Sequence, residues 1–433
     1  MNISCIGCGY VGLVVGTCLA DLGNEVICVD VDGRKIAKLR KGVIPIYEPG
    51  LQDMLHRNVK EKRLSFSTDM KKAIKSSQVI FITVGTPPGQ NHEADLTSVK
   101  KVAREIGRHM DDYKVIVNKS TVPVGTAKEV IKNIKKYQKG SIEFDVVSNP
   151  EFLREGEAVK DFTNPDRIVI GVNSPRPRAI MESIYKGIAR ADKPILFTNT
   201  LSAEMIKYAS NAMLATRVSF MNELAALCEK VGADIKQVAV GMGLDDRIGP
   251  RFLQAGVGYG GSCLPKDVRA LVQIMKLHNV KSNIIDAVDD VNRRQRRLVV
   301  RKLKKLLPDI KGKSVAVWGL AYKPKTDDMR EAPAITVVEE LQKLGAKIRA
   351  FDPEAEPRAK KILKKVKFFN NPFKALTGCH ALVILTEWNE FRELDKEKIK
   401  RLLKMPNVVD GRNIYDPDEM RQKGFNYQGV GRS

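Results

Sequence analysis

No stretch of this chain approaches the 18 or more consecutive apolar residues that a membrane-spanning helix needs. Cysteine is also scarce. Seven in 433 residues is an odd and thin count, which excludes a disulfide scaffold. Acidic residues are outnumbered, 51 against 74 Lys and Arg, so the formal net charge is +23. With 43% hydrophobic and 29% charged residues, the chain is neither a disordered tail, a coiled coil nor a collagen. Its length suggests about three domains and several cores that need no metal or disulfide. The opening MNISCIGCGYVGLVVGTCLA lacks a basic leading region, so no signal peptide is expected. The expected compartment is cytoplasmic, with reduced thiols.

A basic balance invites a nucleic-acid reading. One cluster runs from Arg293 and Arg294 through Arg296, Arg297, Arg301 and Lys302 to Lys304 and Lys305. A second comprises Arg358, Lys360, Lys361, Lys364, Lys365 and Lys367. Both carry helical apolar spacing (Val299, Leu303, Leu306; Ile362, Leu363, Val366), which reads as solvated helix faces. Single-strand binders interleave aromatics for stacking. The first cluster has none, and the second is followed only by Phe368 and Phe369. Neither a nucleic-acid nor a membrane partner is expected. A basic surface equally suits an anionic small substrate.

The first 170 residues alternate strand-like runs with amphipathic stretches. The runs are Asn2–Ile6, Glu25–Val29, Val79–Val84, Val115–Asn118, Asp145–Ser148 and Arg167–Gly171. Such alternation predicts βαβ units and a parallel sheet. From Ser202 to Val231 an Ala- and Met-rich segment without Gly or Pro predicts one long helix ending at Gly232. More helical sequence follows to about Leu307, broken by a glycine-rich loop at Gly256–Gly261. A second alternating region begins after Lys313, with strands expected at Ser314–Trp318, Lys347–Phe351, Ala381–Leu385 and Val408–Asp410. Both alternating regions open on strand, glycine turn and helix. The fold class is therefore α/β. A Rossmann-type parallel-sheet domain is expected over 1–198, an all-helical domain over 199–310, and a Rossmann-like α/β domain over 311–433.

Gly7, Gly9 and Gly12 form G-x-G-x-x-G directly after the first expected strand and before a helix. In that context Gly7 allows the tight turn, Gly9 lets the backbone approach a pyrophosphate, and Gly12 lets the helix pack on the strand. The helix N-terminus presents N–H groups and partial positive charge to the phosphates. Asp30 ends the second strand, where a carboxylate holds adenosine ribose hydroxyls and repels the 2′-phosphate of NADP. Arg34 and Lys35 stand close enough to soften that repulsion, yet NAD is the expected cofactor. Cys5 and Cys8 share C-x-x-C spacing, but their place in the glycine turn makes them packing residues.

In Gly256-Val257-Gly258-Tyr259-Gly260-Gly261-Ser262-Cys263-Leu264-Pro265-Lys266-Asp267, four glycines precede one cysteine. Pro265 favours a first helical turn, which places Cys263 at a helix start beside Lys266. Both features favour the thiolate. A thiolate combined with a nicotinamide cofactor has a specific chemical logic. An alcohol loses one hydride to become an aldehyde, but an aldehyde yields a second hydride only after a nucleophile adds to its carbonyl. The thiohemiacetal so formed oxidises to a thioester, and water releases a carboxylate. Such a site also needs an oxyanion stabiliser and proton-handling carboxylates. Lys207 and Asn211 lie i, i+4 on the long expected helix and share a face. Asp267 lies one turn past Cys263, and Glu151 and Glu155 lie in SNPEFLREG after an expected strand.

The stretches GCGYVGLVVG, EPGL (Glu48–Leu51), VGTP (Val84–Pro87), KSTVPVGT (Lys119–Thr126), SNPEFLREG, NPDRIVIG, EMIKYASNAML, GVGYGGSCLPKD, GLAYKPKTDDMRE and DGRN span the chain. Together they resemble the UDP-glucose 6-dehydrogenase family of nucleotide-sugar dehydrogenases. The resemblance implies an N-terminal NAD domain, a central helical domain that builds at least a homodimer, and a C-terminal UDP-binding domain. It implies Cys263 as covalent nucleophile, Lys207 and Asn211 as oxyanion donors, and Thr121, Glu151 and Asp267 in water and proton transfer. The NAD site would be lined by Gly7, Gly9, Tyr10, Val11, Gly12, Asp30, Lys35, Thr86, Thr121, Glu155, Lys266 and Arg330. Substrate contacts would come from Glu151, Phe152, Leu153, Arg154, Glu155, Lys207 and Asn211. Phe252, Leu253, Gln254, Ala255, Gly256, Gly260 and Lys323 would supply more. In the family, an arginine at the position of Arg247 reaches a neighbouring subunit's sugar site, and Arg412 would lie near that site. No metal is implied. Relatives acting on N-acetylated UDP-sugars carry His where Ser262 stands, which argues against them. NPDRIVIG and PVGT favour UDP-glucose, oxidised with NAD to UDP-glucuronate. GDP-mannose relatives share GGSCLPKD and form the nearest alternative. A two-electron dehydrogenase with a structural Cys263 and a nucleic-acid-binding Rossmann protein are the others.

Overall fold

The computed structural model describes residues 1–189 and 193–432; residues 190–192 and 433, inside the expected first and third domains, lie outside the described residues. The chain forms two compact units, Met1–Ser210 and Asn211–Ser433. The division falls inside one helix, Thr200–Val231. Its sequence has no Gly or Pro to break it, and Gly232 ends it with a left-handed φ of +78°.

The strands of the first unit are β1 (Asn2–Ile6), β2 (Glu25–Val29), β3 (Leu64–Ser67), β4 (Val79–Ile82), β5 (Lys114–Asn118), β6 (Phe144–Ser148), β7 (Ile168–Gly171) and β8 (Ile195–Thr198). They form one sheet in the order β3-β2-β1-β4-β5-β6-β7-β8. Pairing is parallel, with Cys5 opposite Cys28 on β2 and Phe81 on β4. The β6–β7 contact differs, being antiparallel through the single pair Ser148 and Gly171. Both faces of the sheet are covered. Ile3, Phe81, Val115 and Val117 point into one apolar layer, and Ile6, Ile80, Ile82 and Ile116 into the other. This is why β4 reads VIFI without polar alternation.

The strands of the second unit are β9 (Ser314–Trp318), β10 (Lys347–Phe351), β11 (Val366–Phe368), β12 (Ala381–Ile384), β13 (Asn407–Asp410) and β14 (Asn426–Gln428). Their order is β11-β10-β9-β12-β13-β14, all parallel. It repeats the rank order of the first six strands of the first unit, the 3-2-1-4-5-6 order of dinucleotide-binding sheets. The turns repeat too. Gly7 N donates to Val29 O at 2.7 Å after β1, and Gly319 N donates to Phe351 O at 2.9 Å after β9. In such sheets ligands bind where the strand order reverses, at the C-terminal ends of the strands. Between Asn211 and Ile310, the described residues form helices and loops without strands.

The second basic cluster is only partly helical, which corrects the sequence expectation. A helix covers Glu356–Ile362, but Lys365 takes a left-handed φ of +55° and Val366–Phe368 becomes edge strand β11. Parallel pairing with Ile348–Ala350 overrides the apolar spacing there. The first cluster is helical but broken into Ile284–Gln295 and Leu298–Leu306.

Candidate active site

In the first unit, Gly7 sits at φ +111°, and a Cβ there would press on the Thr83 backbone at 2.9 Å. Gly9 is the N-cap of helix Tyr10–Asp21, without a side-chain cap, and has open space on its Cβ side. The uncapped N–H groups and that open approach fit a pyrophosphate. Val11 and Gly12 lie in the first turn. Asp30 accepts from Cys8 N at 2.9 Å, Asp32 N at 3.0 Å and Lys35 Nζ at 2.7 Å. Burial would raise its pKa, but the Lys35 ammonium and these N–H groups hold it below the usual carboxylate range. Cys5 and Cys8 are fully buried, as packing residues should be. Thr86 and Thr121 meet through a 2.7 Å bond from Thr86 Oγ1 to Thr121 O.

Glu151 and Lys207 form a buried ion pair at 3.1 Å, with 5% and 4% of their side chains exposed. Leu153 N donates to the other Glu151 oxygen at 2.6 Å. Phe152 packs beneath Arg167 at 3.7 Å and Lys207 at 5.3 Å. Arg154 turns outward to Asp161 and Glu157. Glu155 is buried.

Glu48 in EPGL is the residue that sequence reasoning left without a role. Its buried carboxylate accepts from Gly156 N at 2.6 Å and Ala158 N at 2.8 Å, and hydrogen-bonds the Tyr10 hydroxyl. It thereby ties the cofactor turn to the end of the Glu151–Glu155 loop, 108 residues away in sequence. Glu204 acts similarly, accepting from Gly125 N at 2.6 Å and Ala127 N at 2.9 Å at the start of helix Thr126–Tyr137.

In the second unit, Cys263 is the N-cap of helix Leu264–Leu277, with Pro in its first turn. It is half-buried, whereas the other six cysteines are buried. Asp267 N donates to Cys263 O at 2.9 Å. The Asp267 carboxylate is completely buried, and receives the Asn211 amide at 2.6 Å and the Lys266 ammonium at 2.5 Å. Thiol, amide, carboxylate and ammonium are thus gathered at one helix start.

Three amides that no motif flagged shape the glycine loop. Asn292 brackets Tyr259, accepting from its N–H at 2.8 Å and donating to its carbonyl at 3.1 Å. Asn222 accepts from Gly256 N at 2.8 Å, and Gln295 donates to Gly256 O at 2.7 Å. Gly258 has no room for a Cβ, which would lie 2.6 Å from Asn292 Oδ1. Gly261 N donates to Arg330 O at 2.8 Å, while the Arg330 guanidinium holds Asp328. Glu331 beside it bridges Arg269 and Arg296, each at 3.1 Å. Leu253 and Ala255 are buried, Gln254 is exposed, and Phe252 takes a left-handed φ of +62°. Arg412 Nη2 reaches Tyr322 O at 3.0 Å, next to Lys323 and beside Gly256. Gly260 packs on the Glu331 backbone. Arg247 stands apart, its side chain 89% exposed and paired with Asp245. Among the described residues no cluster of His, Cys, Asp and Glu could hold a metal, and no helix is long and apolar enough to cross a membrane.

Comparison with known proteins agrees with this geometry. Residues 1–189 match the UDP-glucose/GDP-mannose dehydrogenase family, NAD binding domain; 201–294 match its central domain; and 316–417 match its UDP binding domain. The chain is 50% identical over 432 residues to UDP-glucose 6-dehydrogenase TuaD of Bacillus subtilis, covering 100% of this chain and 93% of that protein. It is 48% identical to the UDP-glucose 6-dehydrogenase of Rhizobium meliloti, covering 100% of both. A solved UDP-glucose dehydrogenase from the archaeon Pyrobaculum islandicum superposes with a TM-score of 0.93 at 37% identity, over 100% of this chain and 98% of that one. The fold, the glycine turn with its carboxylate and the half-buried thiol at a helix start all lie within the matched spans. This chain belongs to the UDP-glucose/GDP-mannose dehydrogenase family.

Proposed function

We propose that the chain oxidises UDP-glucose to UDP-glucuronate with NAD as acceptor, through a thiohemiacetal and a thioester on Cys263. The observation that carries the chemistry is the half-buried Cys263 at its helix N-terminus, next to Asp267, Lys266 and Asn211. The names and identities of the curated relatives support the substrate. NAD, held at Gly7, Gly9 and Gly12 with Asp30 on its ribose, supplies the hydride acceptor when bound.

The chain's own residues do the rest. The Cys263 thiolate adds to the aldehyde carbon, and the carbonyl electron pair moves to oxygen, where Lys207 and Asn211 stabilise it. Loss of hydride from that carbon leaves the thioester. Water then adds and the C–S bond breaks, returning the thiolate, with Thr121, Glu151 and Asp267 ordering the water and taking its protons. The sum is one alcohol, two NAD⁺ and one water giving one carboxylate, two NADH and three protons. Turnover of UDP-glucose but not GDP-mannose, followed as NADH, is expected. Turnover of GDP-mannose alone would overturn the substrate assignment. Salt-sensitive polyanion binding without turnover would overturn the enzyme reading.

Asp30→Ala should raise the KM for NAD by about tenfold or more, the scale of a lost charged hydrogen bond, and relax discrimination against NADP. An unchanged NAD to NADP preference in steady-state kinetics would contradict the role given to Asp30.

Met213, Phe220 and Leu227 are exposed by 61%, 50% and 54%, at intervals of seven on the long helix. Single exposed apolar residues are ordinary, but a stripe at helical spacing supports a homodimer through this helix. Phe220→Asp should then shift the sedimenting species towards monomer. A wild-type monomer, or a variant as dimeric as wild type, would contradict it. In that dimer Arg247 reaches the partner's sugar site, and its outward exposure suits the role. The proposed place of action is the cytoplasm.

A further inference from the structure

Lys207 cannot act freely as an oxyanion donor while Glu151 stands 3.1 Å from its ammonium in a buried setting. The pair alone is neutral, and a neutral pair stabilises developing negative charge poorly. A second buried lysine seats on the same segment, its acceptor Asn149 lying two residues before Glu151. Lys119, 5% exposed, follows the end of β5 in KSTVPVGT. Its Nζ donates to Asn149 Oδ1 at 3.0 Å and lies 3.4 Å from Tyr185 Oη. Those partners are themselves fixed. The Tyr185 hydroxyl donates to Asn149 Oδ1 at 2.6 Å, and Asn149 Nδ2 donates to Val169 O at 2.7 Å. Both acceptors are neutral, and burial pushes the Tyr185 phenol up, so it stays protonated. The Glu151 carboxylate acts on the Lys119 ammonium favourably and the Lys207 ammonium unfavourably. A buried cation without a hydrogen-bonded counter-charge is costly to keep. Asn149 and Tyr185 make a shaped seat for it, and the carboxylate it senses is Glu151.

We infer that Lys119 is a positioning residue of the oxidation: its ammonium balances the Glu151 carboxylate and leaves the charge of Lys207 available to the oxyanion. The inference rests on the proposed roles of Glu151 and Lys207. Lys119 adds a second ammonium to the buried Glu151–Lys207 pair. The charge on Lys119 is conditional. Burial lowers its pKa to about 8, with Glu151 opposing that shift and Lys207 adding to it. Protonated Lys119 is thus present below about pH 8 and lost above it, and the surplus charge goes with it.

The test is the pH profile of kcat for UDP-glucose oxidation by full-length wild type, Lys119→Met and Tyr185→Phe. Wild-type kcat should fall as pH rises through about 8. Lys119→Met should run about tenfold slower near neutral pH, less than the 10²–10³ of a directly lost oxyanion donor. Its KM values should be unchanged and its alkaline limb absent. Tyr185→Phe removes one acceptor from the ammonium and should move the limb to lower pH without abolishing it. A merely structural role would change stability and leave the limb in place. An active wild type with the same limb in Lys119→Met, or with unchanged kcat, would overturn the inference alone. A wild type inactive on UDP-glucose would overturn the proposed function and this inference with it. Should Lys119→Met not fold, an unshifted limb in Tyr185→Phe would overturn the inference.

Discussion

Cys263→Ser is expected to abolish steady-state acid formation, by roughly 10⁴-fold or more, the scale of removing a covalent nucleophile. NAD binding should stay nearly intact, because Gly7, Gly9, Gly12 and Asp30 belong to another compact unit of the chain. The hydroxyl of serine is far less ionised than a thiol, and the helix start that favours a thiolate cannot make up that difference. The fold should survive, since Cys263 is only half-buried and serine suits an N-cap. Normal acid formation by a folded variant would remove the thioester from the mechanism and leave Cys263 a structural residue.

Lys207→Met is expected to lower both turnover and stability. Turnover should fall by about 10²–10³ if Lys207 is an oxyanion donor. Stability should fall by up to about 3 kcal/mol, because Glu151 keeps a buried charge without its ion-pair partner. Lys119 offsets part of that loss, as it senses the same carboxylate. The two effects separate in the double variant Lys207→Met/Glu151→Leu. Replacing a whole buried pair by apolar groups is often neutral for stability. The double variant should therefore regain part of its melting temperature, with Lys119 left without the carboxylate it balances, and remain inactive. Wild-type turnover in either variant would exclude Lys207 from the chemistry.

The sequence was most informative where a rule of spacing has a local cause. The glycine turn, Asp30, the long helix to Gly232 and the thiol at a helix start are all contiguous patterns, and each stands in the structure as expected. The strands it missed, β3, β8, β11 and β14, are the four sheet edges. Edge strands bury one side only and are short, so LSFS, VKF and NYQ show no apolar run to read. Lys365–Lys367 was expected as helix because its apolar spacing fits both periods, and only the neighbouring strand decides.

At the site, the residues that escaped are those whose purpose is tertiary. Glu48 caps backbone 108 residues away, and Asn222, Asn292 and Gln295 satisfy loop backbone from helices 33 to 39 residues distant. A lone Glu, Asn or Gln carries no spacing signal, since its partner is set by the fold. Lys119 lay inside a recognised stretch, yet nothing in KSTVPVGT told that its side chain points inward.

The most direct test is the amount of NADH formed per UDP-glucose consumed, with purified protein and the reaction run to completion. Two NADH per sugar, with UDP-glucuronate as product, is the expected result, because a covalent thiol is needed only for the second oxidation. One NADH per sugar, with an aldehyde as product, would contradict the four-electron reaction and the role of Cys263 together.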